Sequence, residues 1–371
     1  MEEHKRRIRY SGKYPKKFEE KYKELNPEKY EDTIEKIIQK GNTPAGMHIP
    51  IMVNEIMDFF DIKEGQIGID ATLGYGGHTK VMLEKLSHTG HIYGLDIDKV
   101  EIEKTKDRLF SYGYTEKDIT IKNMNFKDLD QVIPNDGRCD FILADLGISS
   151  MQVDNPERGF SFKHDGPLDL RLNPLKGETA CELLMRLTKQ DIEQILFENS
   201  DEPYAKEVAQ KICEKKSYGP IDSTKKLYEI IKETLSFLPK NKREDDIKKT
   251  AQRVFQALRI EVNSEFEVLN DFLYALPYVV KPKGKIAILT FHSGEDRLVK
   301  KAFKNYLNSG VFGEISENVI RPTAEEIYNN PRAKSTKFRW AIMKWWRRLK
   351  GNEKNRFIVF SCNFWYFYYF L

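Results

Sequence analysis

The chain has 371 residues, 40% of them hydrophobic and 32% charged, which suffices for the cores of two ordinary domains and excludes a chain too polar to fold. The net charge of +4 is unevenly spread: residues 332–371 carry ten Lys or Arg against Glu353 alone, and the first seventeen residues carry seven cations against two acids, so both ends suit a polyanionic partner. Cys139, Cys181, Cys213 and Cys362 form no CxxC pair, which argues against a zinc site or a redox dithiol; with no signal peptide, the expected setting is a reducing cytoplasm.

Residues 1–45 read as an appended basic arm that ends in the breaker-rich GNTPAG. A sheet domain is expected over 46–154 and 268–344. Five apolar runs predict its strands: QIGIDAT (66–72), HIYGLDI (91–97), ITIKNMNF (119–126), DFILADL (140–146) and KIAILTF (285–291). Helical patterns such as HTKVMLEKL and KVEIEKTKDRLF alternate with them. That alternation predicts a Rossmann-like α/β fold with a parallel sheet, its ligands lying beyond the carboxyl ends of the strands. From Gly147 to Pro282 no strand is evident and five helical stretches follow one another, a length beyond any ordinary crossover. This predicts an inserted all-helical domain over 155–267, placed to roof the cleft. Within it Phe255, Leu258, Val262 and Phe266 fall on one stripe and predict core. Gln256, Arg259 and Asn263 form a neighbouring stripe, whose spacing fits either a solvated face or one turned to substrate.

After the first strand comes DATLGYGGHT, residues 70–79. A dinucleotide fingerprint wants G-x-G-x-x-G; here Gly74, Gly76 and Gly77 are present, and Thr79 stands where the third glycine belongs. Asp96, 20 residues beyond Gly76, ends the second strand, where a carboxylate can accept both hydroxyls of a ribose. Loop and acid together predict a nucleoside cofactor. S-adenosylmethionine fits best, because it has no pyrophosphate to cradle. Gly76 and Gly77 would permit close backbone approach, and Asp145 is an acid suited to its ammonium group. Asp70 would be unwelcome beside a pyrophosphate.

The densest segment is LADLGISSMQVDNPERGFSFKHDGPLDLRLNP, residues 143–174, which has little periodicity and reads as a shaped loop at a strand end. With HIPIMVNEIM, DATLGYGGHT, GLDID, FQALRIEVNSE, TFHSGEDRLVK and NPRAKSTKFRWAI, it closely resembles the bacterial ribosomal RNA small subunit methyltransferase H family, from about Met47 to Lys344. The resemblance implies a class I S-adenosylmethionine-dependent methyltransferase sheet with an inserted helical substrate domain. It implies methylation of the exocyclic N4 of a cytidine in the decoding region of 16S rRNA. It also implies cofactor contacts by Gly76, Gly77, His78, Asp96, Phe126, Asp145 and Gln152. The common family form Phe-His-Ser-Leu-Glu-Asp is replaced here by FHSGED, with Gly294, which is expected to loosen or reshape that turn. Gly294 and the long arm mark a subtype of the family.

Methyl transfer from a sulfonium is an in-line displacement, so positioning should dominate. The cytosine amino nitrogen is a poor nucleophile, and an acceptor near its N–H helps localise the lone pair. Asp145, or backbone carbonyls beside it, is one candidate for that role, and His292 is the candidate to take the proton. Methylation at cytosine C5 needs a cysteine nucleophile, and no Pro-Cys pair occurs. The acceptor should be a base outside stacked duplex. Arg158, Phe160 and Phe162 are expected to shape its pocket, with inter-domain packing the alternative for the two phenylalanines; Arg332, Lys334, Lys337 and Arg339 are candidate phosphate contacts. The expected partner is 16S rRNA in the small ribosomal subunit or its precursor, with a homodimer left open. Two rivals are a nicotinamide-dependent oxidoreductase and a non-catalytic RNA-binding protein with a vestigial site. No metal site is expected. The aromatic tail RFIVFSCNFWYFYYFL, within 345–371, is shorter than the roughly 20 apolar residues of a spanning helix; the basic KWWRRLKGNEKNR before it would suit an interfacial anchor, but an extension with no evolved role is favoured and no stable membrane association is expected.

Overall fold

The computed structural model describes residues 50–134 and 137–344; the arm over 1–45 and the tail over 345–371 lie outside them. The first helix, α1 (Val53–Phe60), buries Ile56, Met57 and Phe60 on one face. Strand β1 (Ile67–Asp70) leads through the glycine loop into α2 (Gly77–Leu86). Strand β2 (His91–Asp96) leads into α3 (Lys99–Ser111), whose first turn is capped by the Asp98 carboxylate accepting from the Val100 and Glu101 N–H groups. Strand β3 (Ile119–Asn123) runs into a 3₁₀ turn at Phe126–Gln131, and β4 (Cys139–Asp145) is followed by the short helix α4 (Ser150–Asp154).

Five helices come next: α5 (Ala180–Arg186), α6 (Lys189–Ser200), α7 (Ala205–Lys216), α8 (Thr224–Thr234) and the 24-residue α9 (Lys240–Asn263). Thr179 and Thr188 each open a helix with a reciprocal capping box, which satisfies amide groups that would otherwise lack partners. These helices share a core of their own, running from Phe160 to Leu258 and including Leu184, Leu196, Ile212, Ile231 and Val254. The apolar periodicity that reads as one long helix is broken at Ser264, which adopts a left-handed φ of 48° and starts α10 (Glu265–Val279). That second helix leaves the helical core and lays Leu269, Phe272, Leu273 and Leu276 on the sheet.

Strand β5 (Val280–Thr290), α11 (Ser293–Asn308), β6 (Phe312–Ile315), α12 (Ala324–Asn329) and β7 (Lys337–Met343) complete the chain. The sheet order is β3-β2-β1-β4-β5-β7-β6. Strands β1 to β5 are parallel, as expected, whereas β7 runs antiparallel to β5 and β6. This is a class I methyltransferase fold. Its two faces are covered by different sets: α10, α11 and the 3₁₀ turn on one side, α1 and α2 on the other. Among the described residues no helix is long and apolar enough to cross a membrane.

Candidate functional site: a cleft at the strand ends

The carboxyl ends of β1, β2 and β4 open into a cleft of about 840 Å³. Its floor is the glycine loop. Gly76 has a φ of 76°, and a Cβ there would sit 2.9 Å from Thr105 Cγ2, so a side chain would be both strained and crowded. Helix α3 clamps the loop: the Thr105 hydroxyl donates to the Gly74 carbonyl (2.7 Å), and Arg108 donates to the Tyr75 carbonyl (2.7 Å) while lying 3.3 Å over the Tyr75 ring. Asp70 does not face the cleft. It is buried beneath the loop, where Oδ1 accepts from the Thr72 N–H (3.1 Å) and Oδ2 from the Thr79 hydroxyl (2.6 Å). Thr79 therefore has a task that a third glycine could not perform.

Asp96 accepts the Gly74 N–H on Oδ2 and the Asp98 N–H on Oδ1, both at 2.8 Å. Each oxygen keeps further lone pairs, and these can accept two ribose hydroxyls. Burial pushes the Asp96 pKa up to about 6, against the pull of those two N–H groups. Phe126, also on the cleft wall, is fixed edge-on to Phe272 at 5.2 Å. Gln152 accepts the Ser149 N–H (3.0 Å) and donates to Asp98 Oδ2 (3.5 Å), so its position is set by the two loops it joins.

Asp145 stands at the end of β4, its N–H donated to the Thr72 hydroxyl (2.7 Å). One carboxylate oxygen, Oδ2, lies 3.7 Å from His78 Nδ1, and the other His78 nitrogen donates to the Ile51 carbonyl (2.9 Å). The second oxygen, Oδ1, is buried with no hydrogen-bond partner among the described residues. Burial pushes the Asp145 pKa up to about 6; His78 opposes the rise, and Asp70 and Glu295 add to it. An unpaired buried carboxylate oxygen fits a ligand that brings a cation or an N–H. The glycine loop and the ribose acceptor suit S-adenosylmethionine; of the expected contacts, Gly77, His78, Asp96, Phe126, Asp145 and Gln152 line the cleft and could hold it, whereas Gly76 does not line it and instead packs the loop against α3.

His292 is placed differently from its expected role. It caps α11, with Nδ1 accepting the Glu295 N–H (3.4 Å) and Nε2 lying 3.2 Å from Glu295 Oε1. The cleft wall here is formed by Phe291 and Glu295, and His292 does not line it. Glu295 is buried, and its Oε2 accepts the N–H groups of Phe291 (2.9 Å) and His292 (3.4 Å). Burial alone would raise its pKa, but His292, the Phe291 N–H and Arg259 outweigh it and hold the carboxyl below the ordinary range.

Gly294 does not loosen its turn. It sits in the first turn of α11, inside the reciprocal cap between His292 and Glu295. A Cβ there would fall 2.5 Å from Phe266 Cζ, so the ring of Phe266 occupies the space of the missing side chain. Gly294→Leu should destabilise the protein by about 1–3 kcal/mol through overpacking, and adding Phe266→Ala should restore at least half of the loss. Thermal melts of the two single variants and the double variant check this; a Gly294→Leu variant that melts like the wild type would refute the size exchange.

Most of the other candidate residues have partners of their own. Arg158 ties the helical region to the sheet by donating to Asp98 Oδ2 (3.1 Å) and to the Leu172 carbonyl (2.8 Å). Phe160 is buried in the helical core, and Phe162 stacks on Tyr228 at 5.1 Å, so all three residues serve packing. Lys337 and the buried Arg339 converge on Asp296 (3.1 and 2.6 Å) and are unavailable to phosphate. Lys334 is exposed, and Arg332 lines the cleft while pairing with Asp154 (2.7 Å). The polar stripe of α9 turns inward, with Asn263 on the cleft wall. Arg259 grips Glu265 with two bonds (2.8 and 2.9 Å), Gln256 donates to the Asn199 carbonyl (3.2 Å), and Asn263 accepts the Leu172 N–H and donates to the Leu170 carbonyl.

Residues 45–344 match the model of the MraW methylase family. A curated relative from Agathobacter rectalis, named ribosomal RNA small subunit methyltransferase H 1, is 60% identical over 92% of this chain and 98% of its own length. A second, ribosomal RNA small subunit methyltransferase H 2 from Alkaliphilus metalliredigens, is 53% identical over 92% of this chain and 98% of its own. The relative from Carboxydothermus hydrogenoformans, named ribosomal RNA small subunit methyltransferase H, is 36% identical over 79% of this chain and 97% of its own. These likenesses leave no place for a nicotinamide-dependent oxidoreductase. The chain belongs to the MraW methylase family of S-adenosylmethionine-dependent methyltransferases.

Proposed function

We infer that the protein methylates the exocyclic N4 of a cytidine in the decoding region of 16S rRNA, in the small ribosomal subunit or its precursor. The names of the relatives support an rRNA substrate. The observation that carries the choice of an amino group is the free Asp145 Oδ1 in a cleft with no cysteine on its described wall. Carbon methylation at C5 wants a thiolate, whereas an amino group wants a hydrogen-bond acceptor.

S-adenosylmethionine, when bound, supplies a methyl group on a cationic sulfur. The chain does the rest by positioning. Gly77, on the cleft wall, admits the cofactor close to the backbone, Gly76 lets the loop turn tightly against α3, and Asp96 accepts the cofactor's ribose hydroxyls. Phe126 offers an apolar wall for its base, and Gln152 closes the far side. Asp145 is the junction of the two ligands, its free oxygen directed at a nitrogen that bears hydrogen. His292 acts through Glu295, which it holds in place. Lys127, Lys176 and Arg332 on the cleft wall give the phosphates of a single strand their cations, and the target base must leave its stack to reach the floor.

The test is tritium transfer from labelled S-adenosylmethionine to small-subunit RNA, followed by nucleoside analysis. N4-methylated cytidine is the expected product. Label on any other nucleoside would defeat the reading.

A further inference from the structure

Glu295 and Asp145 stand on the same cleft, at the ends of adjacent strands: Asp145 closes β4, Leu289 is its register partner in β5, and Glu295 lies one turn into the helix that follows. The Glu295 carboxylate is unusually well fixed. Two backbone N–H groups hold Oε2, and the His292 ring sits 3.2 Å from Oε1. Behind it Arg259 gives its two short hydrogen bonds to Glu265 and acts on Glu295 only through its charge. The aromatic ring of Phe291, beside it on the wall, offers a flat apolar surface for a base. A buried acid fixed by its own backbone, opening on a cleft, is more than is needed to cap a helix.

We propose that Glu295 is a catalytic and specificity-determining residue, accepting one N–H of the target amino group beside Asp145 and taking its proton as the methyl group is transferred. This rests on the reading of the protein as a base-amino methyltransferase. Cytosine presents two N–H bonds at N4, whereas uracil presents an acceptor oxygen at the same place, so carboxylate oxygens facing that position favour cytosine and repel uracil. The step balances. The nitrogen lone pair forms the N–CH₃ bond while the S–CH₃ bond breaks and its electron pair stays on sulfur, which becomes a neutral thioether. The positive charge passes to nitrogen, an N–H proton moves to Glu295, and Glu295 releases it to solvent.

Glu295→Gln is the sharpest variant, because its amide oxygen can still accept the Phe291 N–H and keep the helix cap. Three quantities are read alongside the melting temperature: the affinity for S-adenosylhomocysteine, the relative affinity for cytidine and uridine in its presence, and the single-turnover transfer rate to small-subunit RNA. In Glu295→Gln the S-adenosylhomocysteine affinity should stay within about threefold. The preference for cytidine should shrink at least tenfold, and the rate should fall about 10²-fold. Glu295→Asp, which keeps the charge, should transfer at least tenfold faster than the Gln variant. A Gln variant with wild-type selectivity and rate would overturn the assignment, as would an Asp variant no faster than the Gln variant. Should the Gln variant fail to fold, an Asp variant holding above one hundredth of the wild-type rate supports the assignment and one below it overturns it. Wild-type protein that makes no N4-methylcytidine would instead defeat the proposed function, so the two failures are distinct.

Discussion

Replacing Asp96 with alanine should weaken S-adenosylmethionine binding by about 100-fold. Hydrogen bonds to a charged acceptor contribute about 1.5–3 kcal/mol each, and two ribose hydroxyls depend on this carboxylate. The same group anchors the Gly74 and Asp98 N–H groups, so its loss also frees the glycine loop. Calorimetric titration with S-adenosylmethionine and with S-adenosylhomocysteine measures the effect; a dissociation constant within threefold of wild type would remove Asp96 from the site. The wild-type affinity should also depend on pH. Burial raises the Asp96 pKa from 3.8 to about 6, so the accepting carboxylate is present above about pH 7 and is lost as pH falls through 6. Affinity should then drop roughly tenfold per pH unit below that point. For folding the sign is the opposite. A carboxyl with a raised native pKa binds its proton more tightly in the native state, so it lowers stability progressively as pH rises from about 4 to about 6.

Asp145→Asn should separate stability from activity. Asp145 is about a quarter exposed to the cleft, its Oδ1 lacks any partner among the described residues, and its pKa is raised from 3.8 to about 6. Ionising it at neutral pH therefore costs the empty fold free energy that a neutral amide does not. Allowing for lost attraction to His78 and partial exposure, the Asn variant should gain about 1–2 kcal/mol at pH 7. The gain should shrink to a small fraction near pH 4 and vanish below about pH 3, where the wild-type carboxyl is protonated in both states. Methyl transfer should fall by about 10²–10³-fold, the scale of losing one preorganised partner of the reacting group. Denaturant melts at pH 7 and pH 4, with single-turnover transfer rates, check both halves. A gain that persists unchanged at pH 4 would show that ionisation is not its source, and an undiminished rate would take Asp145 out of the mechanism.

Much of this cleft is legible in the sequence because it depends on local order. Asp70, Gly76 and Asp96 stand in one βαβ stretch, where strand, turn and helix fix their mutual places. The helical region between β4 and β5 is legible because no crossover needs that many residues. The features that escape notice depend on distant partners. Ser264 breaks a helix whose apolar spacing runs on undisturbed through both halves. Strand β7 hides its character behind Lys337 and Arg339, charges that make sense only beside Asp296, which is 41 and 43 residues away in the chain. Strand β6 is only four residues long. Glu295 is overlooked for the histidine three residues before it, since imidazole draws attention as a base and only the fold reveals which side chain meets the cleft. Gly294 is misread for a similar reason: the ring that fills its place comes from another helix.

The buried bond between Asp70 and Thr79 bears on how such a loop can change over generations. Thr79→Gly alone would recover the spacing of a dinucleotide loop but leave one Asp70 oxygen buried without a donor. An apolar residue at position 70 alone would leave the Thr79 hydroxyl stranded. Either first step costs about 1–3 kcal/mol, a large share of the margin by which a protein stays folded. The two positions are therefore expected to change together or not at all, so lineages carrying this pair are separated by a stability valley from loops that hold pyrophosphate.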